Sequence, residues 1–115
     1  MDWKLLADTQ QIEQIVDLSH QVPCLIFKHS TRCSISSIAK YRLETNWPFS
    51  DKEIAPFFLD LIAHREVSHA VAEQLQVHHE SPQIILLKNG EVVLDASHLD
   101  ISIDEIKEVL ALEKV

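Results

Sequence analysis

The chain has 115 residues, 46% hydrophobic and 24% charged, with a formal net charge of −8. That length supports one domain with a modest core, and no apolar run approaches the about 20 residues that span a bilayer. The negative balance argues against a nucleic-acid surface, which needs clustered positive charge. Because Met1 to Asp8 lack a basic segment followed by a long apolar one, no signal peptide is expected, and the expected location is cytoplasmic.

The first predicted element is a helix from about residue 9 to 19. Asp8 can cap it, with Gln11 three positions on, and Ile12, Ile15, Val16 and Leu18 supply an apolar face. An inner strand over about 23 to 28 follows, in Pro23-Cys24-Leu25-Ile26-Phe27-Lys28. A second helix opens at Cys33, carries Ile35, Ile38, Ala39 and Leu43 on one side, and stops before Pro48. A strand is expected within Ile54 to Ile62, with Pro56 restricting its start. A third helix over about 65 to 76 turns Val67, Ala70, Val71 and Leu75 inward. The single glycine, Gly90, follows Asn89 between two apolar runs at 83–88 and 91–96. Asn-Gly there predicts a hairpin, since a type I′ turn needs positive φ at both central residues. Ser102 and Glu105 form a capping box for a final helix bearing Ile103, Ile106, Val109 and Leu110.

The order is α-β-α-β-α-β-β-α. A helical crossover makes the first two strands parallel, and the hairpin adds an antiparallel strand. The expected fold class is therefore α/β: one domain over residues 1–115, with a four-stranded mixed sheet and helices on both faces.

The chemistry concentrates in Phe27-Lys28-His29-Ser30-Thr31-Arg32-Cys33-Ser34-Ile35-Ser36. Cys33 stands where a polar turn gives way to a helix. Free N–H groups at a helix start favour a thiolate, lowering a cysteine pKa from about 8.5 to between roughly 3.5 and 7.5. Cys24 lies on the inner strand, and from it to His29 an extended chain covers roughly 16 Å. Bridged cysteines need Cα atoms within about 7 Å. Cys24 therefore reads as a small buried hydrophobe. The seven histidines show no metal spacing. His64 and His69 are five apart and do not share a helix face, and His78 and His79 diverge, so no metal is expected. His29, close to the active turn, reads as a satisfied structural histidine, with modulation of Cys33 as the other reading.

The element order, with a cysteine opening the helix after the first inner strand, resembles the thioredoxin fold. Glu80-Ser81-Pro82 stands where thioredoxin-like proteins carry a cis-proline, and the resemblance implies a cis Pro82. The stretches Phe27 to Cys33, His79 to Gln83 and Ala96-Ser97-His98 together resemble the monothiol bacilliredoxin family across nearly the whole chain. Members usually carry Cys-Pro-Ile-Ser at the helix start. Here Cys33-Ser34-Ile35-Ser36 replaces the proline with Ser34, which removes a residue that pre-sets φ and returns a backbone N–H.

The last motif position decides the reaction. Dithiol thioredoxins carry a resolving cysteine there, whereas Ser36 can donate a hydrogen bond to a Cys33 thiolate and cannot form a disulfide. One-sulfur exchange remains, with Cys33 as nucleophile and Ser36 as its partner. The resemblance implies removal of bacillithiol, or another low-molecular-weight thiol, from S-thiolated client proteins. It also implies a second thiol or a separate reductase to free Cys33, and no tightly bound cofactor. Arg32 and Lys28 either face the sulfur or point into solvent. Ser81, before Pro82, is a candidate for backbone pairing with substrate. Ser34, Ser97, His98 and Asp100 are further candidate contacts; for the last three the other reading is a polar loop, with Ser102 as helix cap. The alternative function is a thioredoxin-like binding or carrier module, holding an iron–sulfur cluster or acting as a protein scaffold without redox turnover.

Overall fold

The computed structural model of the chain describes residues 1–112. In chain order it contains β1 (Lys4–Leu5), α1 (Gln10–Leu18), β2 (Cys24–His29), α2 (Ser34–Asn46) and β3 (Ala55–Asp60). These are followed by α3 (Arg65–Leu75), β4 (Gln83–Lys88), β5 (Glu91–Ser97), a single 3-10 turn (His98–Asp100) and α4 (Ile103–Leu112). The sheet has five strands in the order β1-β3-β2-β4-β5, with β1 and β2 parallel to β3 and the other pairings antiparallel. The expected four strands are thus corrected to five. β1 escapes a pattern reading because it is two residues long and both its side chains are exposed, which leaves no apolar alternation to detect.

The other elements follow local chemistry. The Asp8 carboxylate accepts the Gln10 N–H at 2.7 Å, and Gln11 Oε1 reaches back to the Asp8 N–H at 3.0 Å, so the two together cap α1. Ser102 Oγ accepts the Glu105 N–H at 3.3 Å at the start of α4. Asn89 and Gly90 both take positive φ, 53° and 80°, as the hairpin turn requires. The tip is clasped by the end of α1, because the Gly90 N–H donates to Ser19 Oγ and the Asn89 N–H to the Ser19 carbonyl, both at 2.8 Å. Pro56 lies just before the stretch of β3 that β1 covers, where the outer side of the strand is open and a missing N–H is tolerated.

Strand alternation sends Cys24 and Ile26 to one face of the sheet, against Ile12 and Ile15 of α1 and Val67 and Val71 of α3. Leu25 and Phe27 go to the other face, against Ala39 and Leu43 of α2 and Ile106 and Leu110 of α4. On this second face Phe27 stacks on Trp3 at 5.6 Å and meets Phe58 edge-on at 6.2 Å. Trp3 in turn donates its indole N–H to Glu44 on α2 at 2.7 Å, which ties the N-terminal segment to that helix. The expected inward side of α2 needs correction. Ala39 and Leu43 are buried, but Ile35 and Ile38 are exposed, and the side chain buried in the first turn is Ser36.

Candidate functional site

Cys33 is the N-cap residue of α2, extended at φ −114° and ψ 121°, and half-buried. Its N–H closes the preceding turn onto the Ser30 carbonyl at 3.2 Å, and its own carbonyl accepts the Ser37 N–H at 3.1 Å. The sulfur is therefore carried on the last residue before the helix, at the positive end of the helix dipole. It makes no side-chain capping hydrogen bond. Both cysteines are free, and Cys24 is buried, its thiol pushed up to about 11 by burial with a small opposing effect from Lys4. An un-ionised, enclosed thiol matches the expectation of an inert core residue.

Ser36 lies one turn into α2, at the N3 position, and is fully buried. Its Oγ accepts the Ser30 N–H at 3.0 Å and sits 2.7 Å from His29 Nδ1. His29 is buried at the end of β2 against Phe27 and Phe58. Burial first, then the charge of Lys40, holds its imidazole below the usual range. Sequence reasoning anticipated a satisfied histidine here but not its partner. The signal was available, since alternation along β2 puts His29 on the same face as Phe27, the face that α2 covers.

Lys28 corrects both readings given for it. It faces neither solvent nor the sulfur; it is fully buried on the α3 side, with Nζ 3.2 Å from His79 Nδ1 and 3.4 Å from the Ser68 carbonyl. Burial lowers its pKa to about 8 from the usual 10.5. The unfolded chain therefore holds more protons than the folded one between those values, and stability rises with pH in that window. Cys24 acts in the opposite sense above pH 9, where the unfolded thiol ionises first. Between pH 8 and 9 the urea-unfolding free energy is expected to rise by about 1 kcal/mol in the wild type relative to a Lys28→Met variant. Parallel curves for the two proteins across that window would contradict this assignment.

The remaining candidates gather near the same end of the sheet. The Ser81–Pro82 bond is cis, as the resemblance implied. The Pro82 carbonyl accepts the His98 N–H at 2.9 Å, which joins the proline loop to the turn after β5. Ser97 pairs in register with Gln83, the residue after Pro82. His98 is exposed, takes a positive φ of 55°, and stands 3.6 Å from Glu80. Ser81 Oγ is buried without a partner among the described residues. Ser34 and Arg32 flank Cys33 and are exposed. Sequence reasoning missed a groove of about 440 Å³ between α2 and the 98–107 segment, lined by Ile35, Ile38, His98, Leu99 and Lys107 among others. Its signal was the pair Ile35 and Ile38, assigned to the core on spacing alone. No cluster of three or more His, Cys, Asp or Glu suited to a metal ion occurs among the described residues. No described helix is long and apolar enough to cross a membrane.

An N-cap cysteine without a second sulfur in the helix's first turn suits thiol exchange through one sulfur at a time. Comparison with known proteins agrees on fold and class. Residues 4–106 match the family described as Monothiol bacilliredoxin BrxC. A solved structure assigned as an oxidoreductase with a thioredoxin fold is 27% identical, with a TM-score of 0.77 over 91% of this chain and 90% of that one. Thioredoxin from Malassezia sympodialis is 13% identical, with a TM-score of 0.71 over 99% and 92% of the two chains. Fasciola hepatica thioredoxin is 14% identical, with a TM-score of 0.71 over 95% and 97%. The last two share the fold, and the sheet order and helix placement described above are those of a thioredoxin-like α/β domain.

Proposed function

Since the chain belongs to the monothiol bacilliredoxin family, we propose that it removes bacillithiol, or a similar low-molecular-weight thiol, from S-thiolated client proteins. The observation that carries this reading is the half-buried free Cys33 at the start of α2, with a hydroxyl in place of a second sulfur at Ser36.

In the first step the Cys33 thiolate attacks the sulfur of the small thiol in a client mixed disulfide. A bond forms between Cys33 Sγ and that sulfur, the old disulfide bond breaks, and the client leaves as a thiolate that takes a proton from water. The helix N-terminus favours the attacking anion. In the second step a further small thiol, or a thiol of a separate reductase, attacks the small-thiol sulfur of the adduct: a disulfide forms between those two sulfurs, the bond to Cys33 Sγ breaks, and Cys33 leaves as the thiolate. Ser81 and cis-Pro82, at the end of the sheet where β2 leads into the Cys33 turn, are the proposed backbone partners of the substrate. Arg32, Ser34, Ser97 and His98 are the proposed contacts for the small thiol.

The test is to mix the protein with a client carrying a bacillithiol mixed disulfide and weigh the products intact. The wild type is expected to gain one bacillithiol on Cys33 while the client loses it, and Cys33→Ala is expected to gain nothing. No gain on the wild type, or an equal gain on Cys33→Ala, would overturn the transfer.

A further inference from the structure

We propose that the recess bounded by Leu61, Arg65, Ser68, His69 and His79 is a binding site for a small oxyanion, a carboxylate or a phosphate.

Its volume is about 100 Å³, room for roughly three waters at liquid density, which suits an ion of a few heavy atoms. Arg65, Ser68 and His69 come from the first half of α3. Leu61 follows β3, and its N–H donates to the His29 carbonyl at 3.0 Å. His79 stands three residues before cis-Pro82. Arg65, His69 and His79 are exposed and Ser68 is buried, so an ion entering from solvent meets a sheltered hydroxyl.

The lining is one guanidinium, two imidazoles and one hydroxyl, with no carboxylate, in a chain of net charge −8. Arg65 makes no side-chain hydrogen bond or ion pair among the described residues. The positive character extends inward through Lys28, whose Nζ touches two lining residues, His79 Nδ1 at 3.2 Å and the Ser68 carbonyl at 3.4 Å. This ammonium is fully buried, and no carboxylate pairs with it among the described residues. A buried charge without a counter-charge is costly, and an oxyanion in the recess supplies one. The carboxylate that His79 feels is Glu80, whose oxygens lie 3.8 Å from His78 Nε2 and 3.6 Å from His98 Nε2.

The donors are free to serve such an ion. An ammonium has three N–H groups and no lone pair, so Lys28 donates to His79 Nδ1. Burial, then the charge of Lys28, holds the His79 imidazole below the usual range. The neutral ring therefore carries its proton on Nε2, the nitrogen not engaged by Lys28. Ser68 Oγ lies 3.5 Å from the same Nδ1. That nitrogen has one lone pair, and the nearer, charged donor holds it. The Ser68 hydroxyl proton has no other acceptor among the described residues.

The test is titration of isotope-labelled protein with inorganic phosphate at pH 7, with ionic strength held constant by sodium chloride. Imidazole shifts of His69 and His79 and the backbone shift of Ser68 are expected to move together and saturate. Arg65→Gln should weaken the apparent affinity about tenfold or more, and Ser68→Ala by about two- to tenfold; the same spectra report whether each variant is folded. Shifts that do not saturate, or an unchanged affinity in Arg65→Gln, would overturn the proposal. Reduced bacillithiol, a carboxylate-bearing thiol, is then added to the phosphate-loaded protein. Displacement identifies the ligand as the carboxylate of the small thiol, and retention identifies it as free phosphate; both uphold the site. The phosphate titration involves no sulfur chemistry, so failure of the transfer reaction leaves this inference standing, and the reverse holds as well.

Discussion

A Ser36→Cys variant is expected to release the small thiol that the wild type retains. Residues three apart on a helix have Cβ atoms about 5–6 Å apart. Disulfide partners need Cβ atoms about 3.5–4.5 Å apart, so the N-cap and N3 positions of α2 come within closing range after an adjustment of about 1–2 Å. Once Cys33 carries the adduct, the new thiol attacks Cys33 Sγ, an internal disulfide forms, and the small thiol leaves with a proton. Intact mass should show the adduct on the wild type persisting until a second thiol is added. On the variant it should decay without addition, matched by the appearance of free small thiol. The substitution also removes the oxygen that satisfies the Ser30 N–H, at about 1–3 kcal/mol. A Ser36→Ala control separates that loss from the gain of a sulfur. An adduct that persists on Ser36→Cys as it does on the wild type would show that this position cannot reach Cys33.

The second large effect lies in the core beneath the site. Phe27→Ala is expected to cost about 3–5 kcal/mol, a large part of the about 5–15 kcal/mol that holds a domain together. Phe27 is fully buried, in contact with Trp3, Phe58 and His29, and packs with Leu43 and Ile106 from two different helices. These neighbours belong to separate elements and cannot all close in on the space left. Urea unfolding should show the midpoint falling with little change in slope. A loss below about 1.5 kcal/mol would mean that the cluster relaxes around the gap. Phe27→Leu should recover much of the difference.

Much of this fold is written in local patterns. The hairpin was legible because Asn89-Gly90 is a turn signal whose physical requirement, positive φ at two successive residues, few other pairs meet. The helices α1 and α4 were legible because their apolar spacing and capping residues agree, and α3 was legible from its apolar spacing alone. β1 was not, since a two-residue exposed strand is held by its neighbour and not by its own sequence. The misplacement of Ile35 and Ile38 has a related cause. Spacing identifies an apolar stripe but not which part of it the sheet covers, and the groove beside α4 leaves these two open.

The candidate site divides in the same way. Cys33 was legible because a strand, a polar turn and a helix start are all local signals. Pro82 was legible through resemblance to a family, since residue types alone do not distinguish cis from trans. The pairing of His29 with Ser36 needed the helix docked on the sheet before the two could meet. Lys28 was misread because a charged residue near a cysteine invites an electrostatic role. Alternation along β2, with Cys24 and Ile26 on the same face, already pointed it into the interior.

The two margins of the sheet differ in what they offer a neighbouring chain. On one side, β1 ends after two residues, too short to template an added strand. On the other, β5 runs for seven residues with an open flank, but it carries the carboxylates of Glu91 and Asp95 at exposed positions. Any copy docking there in register would bring like charges together, so the margin long enough to recruit a partner is also the one defended by repulsion.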